Sequence, residues 1–391
     1  MSAGVAYPAF PAGTDPGLLD RVRRSLALAP ALVTEEEVRD LGERYARAAR
    51  GDAVVLQAGE CAERFAEATP SRTAQRLAQL RDLAALLGRR GGAEVVTVGR
   101  IAGQYAKPRS SPWEETADGT VLPSYRGDAV NDDAPDPRAR AADPLRMLRA
   151  LHHSRQVLEA VRAAGEPRVF TSHEALLLDY EEPLVRGRHS CSAHTLWIGD
   201  RTRDPAGPHV AFAARLANPV GVKLGPGATP EDAVRLSRAL NPEGVPGHLS
   251  FIVRLGASRV RRHLPDLVSE TLRRGAPVLW LCDPLHANTQ SWADGRKLRL
   301  VENVLSEIED FVRVLRSHRV PPAGLHLEIT PDDVLECAEL SDLRARGPRR
   351  YRSACDPRLN PRQALRAVAG FGDLLRGWGG GRSYPGDRRS P

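Results

Sequence analysis

Eight short apolar runs, each bounded by Gly, Pro or charge, constrain this chain more than any other feature. They are Ala53–Gln57, Glu94–Val98, Arg168–Ser172, Thr195–Ile198, Val220–Leu224, Leu249–Arg254, Val278–Cys282 and Leu325–Ile329. Runs of this length and bounding read as β-strands. Helical periodicity falls between most of them, at Ser71–Arg90, Pro144–Ala164, Pro230–Leu240, Val260–Arg274 and Leu300–His318, and Pro361–Arg376 follows the last. Eight strand–helix units is the count of an α/β fold of the (β/α)8 TIM barrel type, whose crossovers make every strand parallel. A doubly wound open sheet is the alternative, but no G-x-G-x-x-G follows the first strand.

The first fifty residues stand outside this alternation. Pro16–Leu28 and Thr34–Arg50 read as amphipathic helices, the second opened by Thr34 as N-cap with Glu37 three residues on. They are expected to cover the barrel's bottom or an oligomer surface. The organisation read from the chain is a helical extension over residues 1–50, a catalytic barrel over 51–376 and a Gly/Arg/Ser tail over 377–391, expected to be disordered. Asp118–Ala142, rich in Asp, Pro and Arg, reads as a long loop after the second strand.

Composition excludes several classes. No run approaches the roughly 18 apolar residues of a membrane-spanning helix. Met1–Asp15 lacks the basic-then-apolar order of a secretory signal. Five scattered cysteines argue against a disulfide framework and for a cytoplasmic protein. The net charge of +7 suggests no nucleic-acid partner, because the excess is spread along the chain and aromatics are only 5%. The kind of cation is more telling. Of 56 basic residues only Lys107, Lys223 and Lys297 are lysine. In so arginine-biased a chain, a retained lysine points to a compact, pKa-tunable ammonium rather than a planar fork.

Barrel enzymes place their chemistry at the C-terminal strand ends. In chain order those ends lead to Cys61, to Arg100 with Lys107-Pro108-Arg109, to His173-Glu174, to Asp200-Arg201, to Lys223, to Arg254, to Asp283 and His286, and to Glu328. Cys355-Asp356 precedes the final helix. Two groups emerge. Arg100, Lys107, Arg109, Arg201, Lys223 and Arg254 would repel one another on a single rim unless a multiply charged anion lay between them. Phosphate suits such a set. Cys61, His286, Glu328 and Asp356 form a mixed soft and hard donor set, better matched to Mn²⁺, Co²⁺, Fe²⁺ or Zn²⁺ than to Mg²⁺. Their spacing fits no local metal motif, so this reading rests on strand-end position.

The segments resemble one family. They include Leu56-Gln-Ala-Gly-Glu-Cys61-Ala-Glu63, Val98-Gly-Arg100 with Lys107-Pro-Arg109-Ser110, Tyr125-Arg-Gly-Asp128, Thr171-Ser-His173-Glu174, and Leu196-Trp197-Ile-Gly-Asp200-Arg201-Thr202. Asn218-Pro-Val-Gly-Val-Lys223, Trp280-Leu-Cys-Asp283-Pro-Leu-His286, His326-Leu-Glu328 and Cys355-Asp356-Pro-Arg358 complete the set. In this order they resemble the class II 3-deoxy-D-arabino-heptulosonate 7-phosphate (DAHP) synthases, over about residues 30 to 376.

The resemblance implies a transferase that condenses phosphoenolpyruvate with erythrose 4-phosphate, the first step of the shikimate pathway towards chorismate and the aromatic amino acids. It implies Cys61, His286, Glu328 and Asp356 as metal ligands, for Mn²⁺ or Co²⁺ ahead of Zn²⁺ or Fe²⁺. Arg100, Arg201, Lys223 and Arg254 would hold phosphoenolpyruvate beside Trp197, and Lys107, Arg109 and Ser110 would take the aldose and its phosphate. Lys223 is the candidate for proton transfer, with Asp200 or Glu174 handling water. The resemblance also implies a homo-oligomer and admits a chorismate mutase partner. Asp200 stands where relatives carry Glu, and Ala58, Glu60 and Ala287 replace Gly, Asp and Gly. Two other readings are an aldose variant such as an amino-DAHP synthase of antibiotic biosynthesis, and a non-catalytic regulatory relative. The second would show a lost ligand or cation, and none is lost. The connection after the Pro144–Ala164 helix is short where feedback-regulated members carry extra helices, so little inhibition by aromatic amino acids is expected.

Overall fold

The computed structural model describes residue 10 and residues 14–109, 111–116, 119–166, 168–291, 296–341, 351–353 and 355–376. At its centre eight parallel strands close into a barrel: β1 Ala53–Gly59, β2 Glu94–Arg100, β3 Phe170–Glu174, β4 Thr195–Ile198, β5 Val220–Leu224, β6 Leu249–Val253, β7 Leu279–Cys282 and β8 Pro322–Glu328. Each pairs with the next, and β1 closes on β8 from Val55 opposite Gly324 to Gly59 opposite Glu328. All eight expected strands are present. The third starts two residues later than the apolar pattern suggested, because Arg168 points out to Asp40 at 3.0 Å instead of joining the sheet. The eighth starts three residues earlier, at Pro322, where a strand's first residue tolerates the missing N–H.

The helices are α1 Pro16–Leu28, α2 Glu35–Arg50, α3 Pro70–Gly91, α4 Leu145–Ala163, α5 Pro230–Leu240, α6 Val260–Arg273, α7 Val301–Ser317 and α8 Pro361–Leu375. Thr69, Thr229 and Asn360 cap α3, α5 and α8, each with proline in the first turn, where its missing N–H costs nothing. α8 packs between α3 and α7 and closes the ring. The crossovers from β3 to β4 and from β4 to β5 carry only the short helices Leu178–Glu181 and Pro208–Ala213. The first of these also holds a small hairpin, Val185–Arg186 against His189–Ser190.

α2 plugs the N-terminal end of the barrel. Thr34 and Glu37 form the expected capping box at its start. Leu41, Tyr45, Ala48 and Ala49 pack in one cluster with Ala53, Val55, Val96, Phe170, Leu279 and Ala323. Burying side chains the size of Leu41 or Tyr45 contributes roughly 1.5–3 kcal/mol each. The loop before β6 must approach this helix closely. Gly247 has φ +83°, and an added Cβ would run into the Ala46 nitrogen.

Two further hairpins sit among the C-terminal loops. Trp113–Glu115 pairs with Val121–Pro123, so the 118–142 segment is not wholly irregular as expected. Thr289–Ser291 pairs with Lys297–Leu300, which also pairs with Cys337–Ala338. The 377–391 tail lies outside the described residues. No helix among the described residues is long and apolar enough to cross a membrane.

Candidate active site

The strand ends converge on a cavity of about 450 Å³. Seven cationic side chains line it, Lys107, Arg109, Arg201, Lys223, Arg254, Lys297 and Arg299, against three carboxylates, Glu174, Asp200 and Asp356. Five of the six cations expected from sequence are therefore on its wall. The sixth, Arg100, lies beneath it, 2% exposed. Ser110 lies outside the described residues.

Arg100 ends a hydrogen-bond chain whose direction is forced, because a guanidinium only donates. Its Nη1 donates to His326 Nε2 at 2.7 Å, so the proton sits on Nδ1, which donates to Gln57 Oε1 at 2.8 Å. Gln57 Nε2 donates to Ser172 Oγ at 3.0 Å, and Ser172 donates to the Gly99 carbonyl at 3.0 Å. Burial, with the Lys223 and Arg100 charges, holds His326 well below its usual pKa, so the ring is neutral. Trp197 stands edge-on to His326 at 4.9 Å, under the Arg100 guanidinium at 5.1 Å and the Lys223 ammonium at 5.8 Å. Trp197 is thus a floor for two cations.

Three of the four expected ligands meet. Cys61 Sγ and carboxylate oxygens of Glu328 and Asp356 lie within 4.8 Å of one another, and His286 Nε2 is 3.0 Å from Glu328 Oε1. Lys107 Nζ stands among them, 2.8 Å from Cys61 Sγ, 3.3 Å from Glu328 Oε1 and 3.1 Å from Asp356 Oδ2. Burial opposes the Lys107 charge, but Cys61, Glu328 and Asp356 hold its pKa well above the usual value. Burial also opposes ionised Glu328, and His286, Lys107 and Arg299 more than offset it. The donors thus already hold a cation, and one thiol, one imidazole and two carboxylates fit a divalent metal ion of the softer kind.

Buried partners orient these donors. Asp283 lies 2.7 Å from His286 Nδ1 and accepts from Lys223 Nζ at 3.0 Å, which turns Nε2 towards Glu328. Arg299 Nη1 donates to Glu328 Oε2 at 2.7 Å and leaves Oε1 facing the other donors. Glu336 fixes the loop that carries Asp356. Its two oxygens accept from the backbone N–H groups of Arg352, Ser353 and Arg358 at 3.0, 2.8 and 2.9 Å and from the Arg358 guanidinium. Arg358 Nη1 then reaches Glu60 Oε2 at 2.6 Å, tying that loop to the residue before Cys61.

The cationic half is braced in the same way. Asp200 accepts from Arg254 Nη1 at 2.8 Å, Arg203 Nε at 3.0 Å and the Gly225 N–H at 2.9 Å. Arg254 Nη2 donates to the His286 carbonyl at 3.1 Å, so the cationic half and the donor cluster are joined at one loop. Burial, helped by Arg100, pulls Lys223 below its usual pKa despite Asp283. Glu174 packs over Gly199, where a Cβ would collide with its Oε1. Sequence reasoning gave no role to Arg299, Arg203, Glu336 or Lys297. The rarity of lysine was a signal for Lys297 alone.

The sequence model of the class-II DAHP synthetase family matches residues 7–169 and 165–369. The chain belongs to the class-II DAHP synthetase family. It is 38% identical to the phospho-2-dehydro-3-deoxyheptonate aldolase of Streptomyces coelicolor over 93% of this chain and 95% of that protein. It is 39% identical to a probable phospho-2-dehydro-3-deoxyheptonate aldolase of Pseudomonas fluorescens over 92% of each. A solved phospho-2-dehydro-3-deoxyheptonate aldolase from Francisella tularensis superposes with a TM-score of 0.56 at 14% identity, over 91% of this chain and 96% of that one, a likeness of fold. Family membership makes the chain an enzyme of the transferase type, as the resemblance implied.

Proposed function

We propose that this chain is a metal-dependent 3-deoxy-7-phosphoheptulonate synthase that joins phosphoenolpyruvate to erythrose 4-phosphate and releases phosphate. The observation that carries it is a single cavity with seven cations against three carboxylates, one of which, Asp356, also belongs to an adjoining cluster with a thiol, an imidazole and Glu328. Two phosphorylated substrates offset that excess of cations, and a divalent ion suits the donor cluster beside it. A single small anion does not offset that excess.

Arg201, Lys223 and Arg254 take the phosphate and carboxylate of phosphoenolpyruvate, with Arg100 offering its remaining N–H groups from below. Arg109 takes the aldose phosphate. A divalent ion held by Cys61, His286, Glu328 and Asp356 supplies Lewis-acid polarisation of the aldehyde. The cations fix phosphoenolpyruvate so that its C3 faces the aldehyde carbon, which replaces diffusional encounter by held geometry. Lys223 Nζ, with its lowered pKa and its Asp283 partner, gives up a proton more readily than an ordinary lysine and is suited to proton transfer. Asp200 already accepts three hydrogen bonds, so Glu174 is the carboxylate left to orient water at C2.

Erythrose 4-phosphate should drive phosphoenolpyruvate loss, with one phosphate released per turnover, when Mn²⁺ or Co²⁺ is supplied. A panel of aldose phosphates tests this and separates the aldose-variant reading. No phosphoenolpyruvate loss with any member would overturn the proposal. Allosteric control needs a second site that discriminates between two states. α4 is followed by only the short stretch 164–169 before β3. Phe, Tyr and Trp, singly or together, should therefore inhibit little, and strong inhibition below about millimolar levels would show a regulatory site.

A further inference from the structure

Three lysines among 56 basic residues are kept against a strong arginine bias. All three line the cavity described above. Lys107 and Lys223 are buried and held by buried acids. Lys297 differs, because its side chain is 47% exposed and its Nζ lies 2.6 Å from Asp356 Oδ1.

The local fold explains how it gets there. Lys297 opens the strand Lys297–Leu300, whose alternation sends Lys297 and Arg299 to one face and buries Leu298 on the other. Arg299 is bonded to Glu328 and Thr289, so the strand is pinned two residues away. The freedom lies in the lysine's four-carbon stem. Asp356 is therefore shared by two ammonium groups, Lys107 on Oδ2 at 3.1 Å and Lys297 on Oδ1 at 2.6 Å. A divalent ion that takes this carboxylate weakens its hold on Lys297 and sets positive charges side by side. The half-exposed ammonium then needs another anion. Arg109 lines the same cavity, with its Nη2 on Glu114 at 2.7 Å.

Resting on the synthase reading, we propose that Lys297 is a substrate-binding residue: its ammonium leaves Asp356 as the ion binds and, with Arg109, takes the phosphate of the incoming aldose. A point charge on a flexible stem pivots between two anions. An arginine fork would close bidentately on Asp356 and compete with the ion. That accounts for a lysine at this position in an arginine-rich chain.

Lys297→Gln and Lys297→Arg, made in the full chain, test this through the KM of each substrate and through Co²⁺ affinity, read from thiolate-to-cobalt absorption. Lys297→Gln should raise the KM for the aldose phosphate about 10- to 100-fold, the loss of one charge-assisted contact, and move the KM for phosphoenolpyruvate less than about twofold. It should bind Co²⁺ at least as tightly as the parent, since a competitor for Asp356 is gone. Lys297→Arg should bind Co²⁺ more weakly although it keeps the charge. An unchanged aldose KM in the Gln variant of an active chain overturns this proposal and leaves the synthase reading standing. A second measurement does not depend on turnover. Acetic anhydride labelling of the Co²⁺-loaded parent, followed by peptide mapping, should show Lys297 protected by erythrose 4-phosphate and not by phosphoenolpyruvate. Equal labelling under all conditions overturns the proposal whether or not the chain is active.

Discussion

Chelator-treated protein will leave phosphoenolpyruvate untouched, and Mn²⁺ or Co²⁺ will restore turnover. The expectation follows from how the donors are built into the barrel. Glu328 ends β8, Cys61 follows β1 and His286 follows β7, so three of the four proposed ligands hang on three neighbouring strands of the barrel. Three of the four donors have a fixed partner: Asp283 for His286, Arg299 for Glu328, and the Glu336-anchored loop for Asp356. Without a cation the cluster would gather several anionic groups in a buried space, where Lys107 now stands among them, with Arg299 and Arg100 on Glu328 and Lys297 on Asp356. His286→Ala should lose metal and turnover together. Asp283→Asn, which spares the ligand and disturbs only its orientation, should weaken metal binding by about 10- to 100-fold. Full turnover in metal-free protein would refute the metal assignment.

The barrel was legible because its strands are short apolar runs between helices of strong period. β4 and β5 match the expected bounds to the residue, as do α1 and α5. The rim hairpins were not legible. Thr289–Ser291 and Lys297–Leu300 are short and largely polar, and they are held by partners distant in sequence, such as Cys337–Ala338. The site divides in the same way. Cys61, Glu328 and Asp356 could be sorted from the chain by chemistry and strand-end position, and the fold brings them together. Lys107 stands on both sides of that sorting: it lines the cavity with the other cations, and its ammonium also lies among Cys61, Glu328 and Asp356. Glu336 and Arg299 left no trace in sequence, because an acid or arginine in an irregular segment or short strand looks like surface until its burial is seen. Glu60 is used in full. Its oxygens meet Arg76 at 3.2 Å and Arg358 at 2.6 Å.

Air will leave the metal-free enzyme unable to regain turnover with Mn²⁺ or Co²⁺, through a disulfide between Cys61 and Cys355, and dithiothreitol will reverse the loss. Both thiols are free and buried, and they share a small cluster with Tyr125. Burial, the Cys355 hydrogen bond and Glu328 push the Cys61 thiol up, whereas the bond from Cys61, with Lys107 nearby, draws Cys355 below its usual value. Cys355 is thus the sulfur that ionises first and is oxidised first. Oxygen takes two electrons from the pair, two protons leave, and one S–S bond forms. Closure requires Cα atoms roughly 4.4–6.8 Å apart, and the two side chains already belong to one buried cluster. A bound metal ion blocks the reaction by holding the Cys61 thiolate, so the loaded enzyme should resist air. Peptide mapping of oxidised apoprotein decides the matter. Cys61 and Cys355 should be recovered joined, and Cys355→Ser should make the apoprotein stable in air. If both are recovered as free thiols, or in other pairs, while activity is lost, the inactivation has another cause. Cys355→Ser would then remain as sensitive to air as the parent.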